Sequence, residues 1–300
     1  MAAVTGGTGF LGRSVVAKLR AAGWRVRLLV RNPSAQAGGE AVAGSLEDEA
    51  ALAALVAGAD VVVHCAGLTK ARRAADFHAV NVDGAGRLGR AIRNAAPGAR
   101  VVAVSSLAAR APALSPYAAS KAAGEQALLE RSGAAQWMVL RPCALYGPGD
   151  PATLPVFRAA QLPLVPIPRQ PAARLALLHV DDAAAAVAAA VAAPVGGQVW
   201  EVGDGNLGWE AILRAAARAL GRDVALLPVP HWVLAGVTGL MRRLGAVSPL
   251  SSPGKLAELL HADWTCAPHR LPPADLWGPT IGLGEGFAAT VAWYRVHKWL

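Results

Sequence analysis

Three hundred residues, 54% of them apolar, allow one large or two small packed domains and exclude an intrinsically disordered chain. The net charge of +9 would suit an anionic partner, but Arg and Lys are scattered singly with no basic block. That pattern reads as a solvated basic surface and not as a nucleic-acid tract. Cys65, Cys143 and Cys266 lie far apart in sequence without a C-x-x-C pair. Neither a zinc site nor a disulfide framework is therefore indicated, and a reducing cytoplasm is the expected location.

The first dozen residues carry the strongest local signal. An apolar strand ending at Val4-Thr5 runs into Gly6-Gly7-Thr8-Gly9-Phe10-Leu11-Gly12, and a helix follows from Arg13 to Ala22. The chain enters this strand at once, which leaves no room for a signal peptide. Gly7, Gly9 and Gly12 satisfy G-x-G-x-x-G, while Gly6, Gly9 and Gly12 satisfy G-x-x-G-x-x-G. Glycine serves three ends here: a tight turn, close backbone approach to a pyrophosphate, and tight packing of helix on strand. The N–H groups of the helix N-terminus, around Phe10, Leu11, Gly12 and Arg13, carry partial positive charge toward the phosphates.

A second strand spans Arg25–Val30, followed by Arg31 and a Gly/Ser-rich loop to Gly44. Leu46 to Ala57 reads as a helix with acids in its first turn. Ala59 to Gly67 and Arg100 to Ser106 read as buried parallel strands, and a helix from Phe77 to Ala96 lies between them. Pro116 to Ser132 is helical and Trp137 to Pro142 is a further strand. This alternation predicts an α/β fold with a doubly wound parallel sheet. Past Gly149 the rhythm breaks: Pro151 to Pro171 reads as proline-rich and irregular. Leu175 to Val180 reads as a strand, with Asp181 or Asp182 capping an Ala-rich helix over Ala183–Ala193. A short strand over Gln198–Val202 and a helix over Trp209–Leu220 precede a tail rich in Trp and Pro. Residues 1–150, with 175–195, are thus expected to form the dinucleotide-binding domain, and 151–300 a smaller lobe interleaved with the sheet. The apolar run Val224 to Met241 is broken by Pro228, Pro230 and His231, which argues against a membrane span but leaves peripheral contact with a bilayer open.

Ligands of such sheets sit beyond the carboxyl ends of the strands. One strand end holds Ser105-Ser106, and Tyr117-Ala118-Ala119-Ser120-Lys121 then places a phenol and an ammonium one helical turn apart. A cation so near favours the phenolate, so the spacing predicts a lowered Tyr117 pKa and a general acid/base acting on a hydroxyl or carbonyl.

These residues resemble the short-chain dehydrogenase/reductase superfamily, in its extended, NAD-dependent epimerase/dehydratase-like branch. His64-Cys65-Ala66-Gly67 is similar to that branch's H-x-A-G, Asn81-Val82-Asp83-Gly84 to its N-V-x-G, Arg141 to Gly149 to its R-P-x-x-x-Y-G-P-G, and His179 to Asp182 to its H-V-D-D. The resemblance covers nearly the whole chain. It implies a Rossmann sheet with Tyr117 as the acid/base, Lys121 tuning it and holding the nicotinamide ribose, and Ser106, in preference to Ser105, bonding the reacting oxygen. It implies further cofactor contacts at Gly6, Gly9, Phe10, Leu11, Gly12, Arg13, Arg31, Ser45, Leu46, Ala66, Gly67, Asn81 and Pro142. His64 is expected to be a packed strand histidine.

Three departures refine the expectation. Ser45 stands where family members commonly carry an acid that bonds the adenine, and a serine could do so only more weakly. The acid that usually bonds the cofactor ribose after the second strand is replaced by Arg31, and Arg13 stands beyond Gly12; guanidinium groups there favour NADP over NAD. The glycine-rich segment with an Arg-Asp pair of sugar-nucleotide epimerases is replaced by Arg169 to Leu178, which looks more like hydroxysteroid-dehydrogenase-like and dihydroflavonol-reductase-like members. With Leu154, Val156, Phe157, Leu162, Leu164, Val165 and Ile167, and with Trp232, Val233, Leu234 and Leu240, this favours a bulky, apolar alcohol or ketone as substrate. A nucleotide-sugar epimerase or dehydratase and a non-catalytic cofactor-binding scaffold are the alternatives. The expected partner is a small molecule, with no nucleic acid; a homodimer is the assembly the chain allows.

Overall fold

In the computed structural model, which describes residues 1–32, 40–170, 172–194, 196–230, 232–233, 236 and 254–300, a parallel sheet of seven strands forms the centre. Its strands are β1 (Ala2–Thr5), β2 (Val26–Val30), β3 (Glu40–Ala43), β4 (Val61–His64), β5 (Arg100–Val104), β6 (Trp137–Pro142) and, later in the chain, β10 (Gln198–Val202). They lie in the order β10-β6-β5-β4-β1-β2-β3. Runs of Val, Ala and Leu make β1 and β4 buried along their whole length, as a sheet covered on both faces requires. Helices α1 (Phe10–Ala21) and α7 (Val180–Ala192) supply Val15, Leu19, Ala186 and Val187 to the core on one face. On the other face, α2 (Glu49–Val56), α4 (Ala85–Ala95) and α5 (Pro116–Ser132) supply Leu52, Leu55, Leu88, Ile92 and Leu128. The sheet is doubly wound, as the alternation predicted.

Several element ends differ from the sequence reading. β3 forms inside the stretch read as a loop, because it is a mostly exposed edge strand without an apolar run to announce it. α2 starts at Glu49, where the Asp48 carboxylate accepts the Ala51 N–H at 3.0 Å as its cap. The helix read over 77–96 is three pieces: α3 (Ala74–His78), a wide π turn (Ala79–Gly84) and α4. Helix α7 is capped by His179 and not by an aspartate. The His179 ring accepts the Asp181 N–H at 3.3 Å, while both acids sit inside the first turn, where their charge complements the helix dipole. Asp181 bonds Ser14 on α1, and buried Asp182 accepts from Thr280 and from the Ile281 N–H.

The lobe is built on a second sheet of β7 (Ala144–Tyr146), β9 (Arg174–His179), β11 (Asp204–Leu207) and β13 (Asp263–Trp264), and on a parallel pair of β8 (Leu164–Pro168) with β12 (Ala225–Val229). Helices α6 (Leu154–Ala159), α8 (Trp209–Ala219), α9 (Lys255–Leu259) and α10 (Leu283–Val296) accompany them. The stretch 151–171 is therefore more ordered than its prolines imply. Phe157, Ile212, Leu213, Phe287 and Tyr294 fill the lobe's own core. The chain crosses between the two units more often than a boundary near residue 150 describes: β7 joins the lobe, and β10 returns to the main sheet. Fully buried Glu201 on β10 helps to fasten them by accepting the Ala267 N–H at 2.8 Å and pairing with Arg110 at 3.4 Å. Among the described residues no helix is long and apolar enough to cross a membrane.

Candidate active site

The glycine turn between β1 and α1 is closed by the Gly9 N–H donating to the Gly6 carbonyl at 3.0 Å. Gly6 has φ +71°, and a Cβ there would lie 2.5 Å from the Ala66 nitrogen. On Gly12 a Cβ would lie 2.0 Å from the Gly6 oxygen. Only hydrogen fits at either place, so the loop lies flat against the ends of β1 and β4. No side chain caps α1 and no acid sits in its first turn, which leaves its positive end open to an anion. This cradle fits the diphosphate of a dinucleotide.

Beside it, the segment after β4 is held by Asn81. Its Oδ1 accepts the Leu68 N–H at 2.7 Å, and its Nδ2 donates to the Leu68 carbonyl at 3.0 Å and to Ser120 Oγ at 2.9 Å. The π turn makes this possible by turning a buried amide in toward both α5 and the strand end. A Cβ on Gly67 would lie 3.6 Å from Lys121 Nζ, which donates to the Val104 carbonyl at 3.0 Å. At the end of β5 the two serines part. Ser106 stands by the Tyr117 phenol, where its hydroxyl favours the ionised form, and caps the turn that follows it. Ser105 is buried, its hydroxyl has no hydrogen-bond partner among the described residues, and it lines a small cavity with His64, Asn81, Lys121 and Glu125. Ser106, Tyr117, Lys121, Asn81 and Gly67 thus share one side of the sheet's carboxyl edge.

Electrostatics correct one expectation. The i, i+4 spacing predicts that Lys121 lowers the Tyr117 pKa; in the structure burial pushes the phenol above its ordinary value, Ser106 opposes this, and the Glu258 carboxylate adds to it. The Lys121 amine is turned to the Val104 carbonyl and is itself pulled down to about 8 by burial, against the pull of Glu125 and Cys65. The same apolar surroundings, helped by the Lys121 charge, drive His64 down to about 3, so it stays neutral and bonded to Thr5 Oγ1 at 2.7 Å. Burial lifts Cys65 to about 12, which leaves it an inert thiol.

The profile of the NAD dependent epimerase/dehydratase family matches residues 2–203. The chain belongs to this family. It is 43% identical over 309 residues to the ceramide reductase of Caulobacter vibrioides (strain NA1000 / CB15N), covering 99% of this chain and 95% of that one. It is 38% identical over 175 residues to the 4-hydroxy-2-methyl-3-oxo-4-farnesyl-3,4-dihydroquinoline-1-oxide ketoreductase of Stigmatella aurantiaca, about half of each chain. In fold it is similar to the UDP-glucose 4-epimerase of Thermus thermophilus, solved as a complex with NAD, with a TM-score of 0.70, 23% identity and 98% of each chain covered. The protein is accordingly a nicotinamide-dependent enzyme of the oxidoreductase and epimerase kind.

For an epimerase/dehydratase family member, the remaining expected contacts fall at the same edge with different surroundings. Arg31 is exposed directly beyond β2, and Arg13 donates to the Thr8 carbonyl at 3.1 Å on the glycine turn. Ser45 accepts the Glu47 N–H, and Leu46 packs over Gly84, where a Cβ would lie 2.9 Å from its Cδ1. Pro142 ends β6 in register with Val202. In the lobe, Leu154, Phe157, Val165 and Ile167 are core residues, while Leu162 and Leu164 are about half exposed. Trp232 is 69% exposed; Leu234 and Leu240 lie outside the described residues. Two of the lobe's arginines are turned to main-chain carbonyls, Arg158 to Trp299 and Arg174 to Ala173. Sequence reasoning missed Ser120, although it stands inside the Tyr-x-x-x-Lys segment, and Glu258, which has no local signal.

Proposed function

We propose that the protein is a reductase of a ketone on a bulky, lipid-like substrate of the ceramide class, working in the cytoplasm with NADP(H) preferred over NAD(H). The observation that carries the substrate class is the 43% identity to a ceramide reductase, which runs through the lobe as well as the sheet. Two supports are independent of it. Arg158 and Arg174 make main-chain contacts where a nucleotide-sugar site would want convergent polar groups. Leu162, Leu164, Leu227 and Trp232 form exposed apolar surface on the lobe, which suits peripheral contact with a bilayer, where such a substrate resides.

In this reading Gly6, Gly9, Gly12 and the start of α1 hold the diphosphate, with Lys121 and Asn81 beside the nicotinamide ribose and Pro142 against the ring. Nicotinamide, when bound, supplies the hydride. Ser106 donates a hydrogen bond to the ketone oxygen and orients it. Tyr117, protonated at neutral pH, gives its proton to the oxygen as negative charge develops there. The buried ammonium of Lys121 stabilises that charge and the phenolate left behind.

The test supplies NADPH with long-chain amide ketones and, separately, with UDP-sugars. Net NADPH oxidation with a ketone is the expected result; an epimerised sugar with no net change in cofactor would overturn the reading. Cofactor choice has its own test. Arg31 stands where NAD-preferring sheets carry an acid, and a charge-assisted bond to the ribose phosphate is typically worth ~1.5–3 kcal/mol. Arg31→Asp should weaken NADPH binding by about tenfold or more and spare NADH. Tighter binding of NADH than NADPH by the unaltered protein refutes the preference.

A further inference from the structure

The helix that carries Tyr117 is seated by a residue from the other end of the chain. Ser115 caps α5 by accepting the Ala118 N–H at 2.9 Å, and its hydroxyl donates to Glu258 Oε1. The second carboxylate oxygen takes a bond from Lys255 Nζ at 2.9 Å. Glu258 is only 8% exposed. It is locked in place by its own main chain, because the Glu258 carbonyl accepts from Trp264 Nε1 at 2.7 Å and the Leu260 carbonyl from Gln170 Nε2 at 2.9 Å. Arg110, four residues past Ser106, grips the same stretch through the carbonyls of Asp263 and Thr265. Gly254 lets α9 come this close: at φ +76°, a Cβ there would lie 2.4 Å from the Ser115 Cβ.

We propose that Glu258 is a positioning residue of the reductase, seating the first turn of α5 through Ser115 and, by its negative charge, keeping the reacting proton on Tyr117. This rests on the reading of Tyr117 as the acid. A packing role alone would be met by a neutral amide; the buried charge and its single lysine are what the packing does not require. A carboxylate at this end of α5 complements the partial positive charge of the helix N-terminus. Its field acts on Tyr117, two residues beyond Ser115, in the sense that disfavours phenolate. For a reductase that is the useful sense, since the phenol must hold its proton until the alkoxide forms.

Most other charges on the elements around Tyr117 are turned to partners of their own. On α5 itself, Lys121 is turned to the Val104 carbonyl and Glu125 is held by Arg141 in a two-pronged pair at 2.7–2.9 Å. On α3, which brings Phe77 to 5.8 Å from the phenol ring, Asp76 is paired with Arg73 and His78 with Asp83. Neutral Cys65 and His64 lie at the end of β4, and Arg110 is engaged by carbonyls and Glu201. From α4, Arg90 pairs with Glu49 and Arg93 donates to the Glu130 carbonyl. Glu258 and Lys255 are the charges that the lobe adds.

The experiment needs no substrate. The chain has three tyrosines, and burial lifts Tyr294 to about 12 and Tyr146 higher still. Near-ultraviolet phenolate absorbance of the full chain is followed against pH, and Tyr117→Phe identifies which step belongs to Tyr117. Glu258→Gln should move that step toward acid by about half a pH unit or more. Lys255→Met, at a half-exposed side chain that tolerates replacement, frees the carboxylate of its counter-ion and should move the step the other way by about a few tenths of a unit. Opposite movements support the proposal. A step that stays fixed, or that moves the same way in both variants, overturns it, since disturbed packing has no sign. Should Glu258→Gln fail to fold, the alkaline movement in Lys255→Met decides. Turnover of Tyr117→Phe is measured separately: activity retained there, with the titration steps still moving apart, marks failure of the acid/base reading alone.

Discussion

Replacing Tyr117 by Phe is expected to reduce ketone turnover by ~10²- to 10⁴-fold, the usual contribution of a positioned general acid. Cofactor affinity should stay close to that of the unaltered enzyme. On the proposed reading the two readouts separate, because the phenol would meet the reacting oxygen whereas the diphosphate would be held by Gly6, Gly9, Gly12 and the start of α1. The fold should tolerate the change. The Tyr117 side chain is half-buried against Phe77, and the ring survives in the variant; only the hydroxyl is lost. Steady-state NADPH oxidation gives the first quantity and a cofactor titration the second. Retention of even half the activity would remove Tyr117 from its role.

How far such a site is legible in sequence depends on how local its parts are. Gly6 to Gly12 and Tyr117 to Lys121 are each contiguous, and their flanking strands are near-continuous apolar runs that only a doubly covered sheet would want. Both were therefore readable, along with the order of strands and helices that brings them to one edge. What escaped was set by contacts across the chain. The Tyr117 pKa turns on burial and on Glu258, and neither can be seen from a lysine one turn away. His179 took the cap because its ring folds back onto the Asp181 N–H, against the strong general preference for aspartate. Cys143 and Cys266, unrelated by spacing, come together over Gly203, where a Cβ would lie within 3 Å of both sulfurs. β3 is an exposed edge with no pattern to betray it.

The π turn is the part of the site that periodicity could least reveal, since a single wide turn is too short to show a period of its own. Its consequence is nonetheless large. It pushes the Asn81 carbonyl against α5 at Gly124, where a Cβ would lie 2.2 Å from that oxygen. Gly124 is one turn beyond Ser120, which takes the Asn81 amide, and three residues beyond Lys121. Gly124→Ala must therefore part α5 from the turn or distort it, since the obstacle is backbone and cannot swing aside. Overpacking of this kind typically costs ~1–3 kcal/mol, and a sub-van der Waals clash with a carbonyl belongs at the upper end. Moving α5 also stretches the Asn81–Ser120 bond and shifts Lys121 relative to Gly67. The expected result is a lower midpoint of denaturant unfolding together with a loss of cofactor affinity, although Gly124 itself supplies no atom to the cofactor. Gly98, in a loop where a Cβ meets nothing within 4 Å, is the control: Gly98→Ala should leave both quantities unchanged. If Gly124→Ala destabilised the protein no more than Gly98→Ala, the π turn would not be pressed against α5 as described.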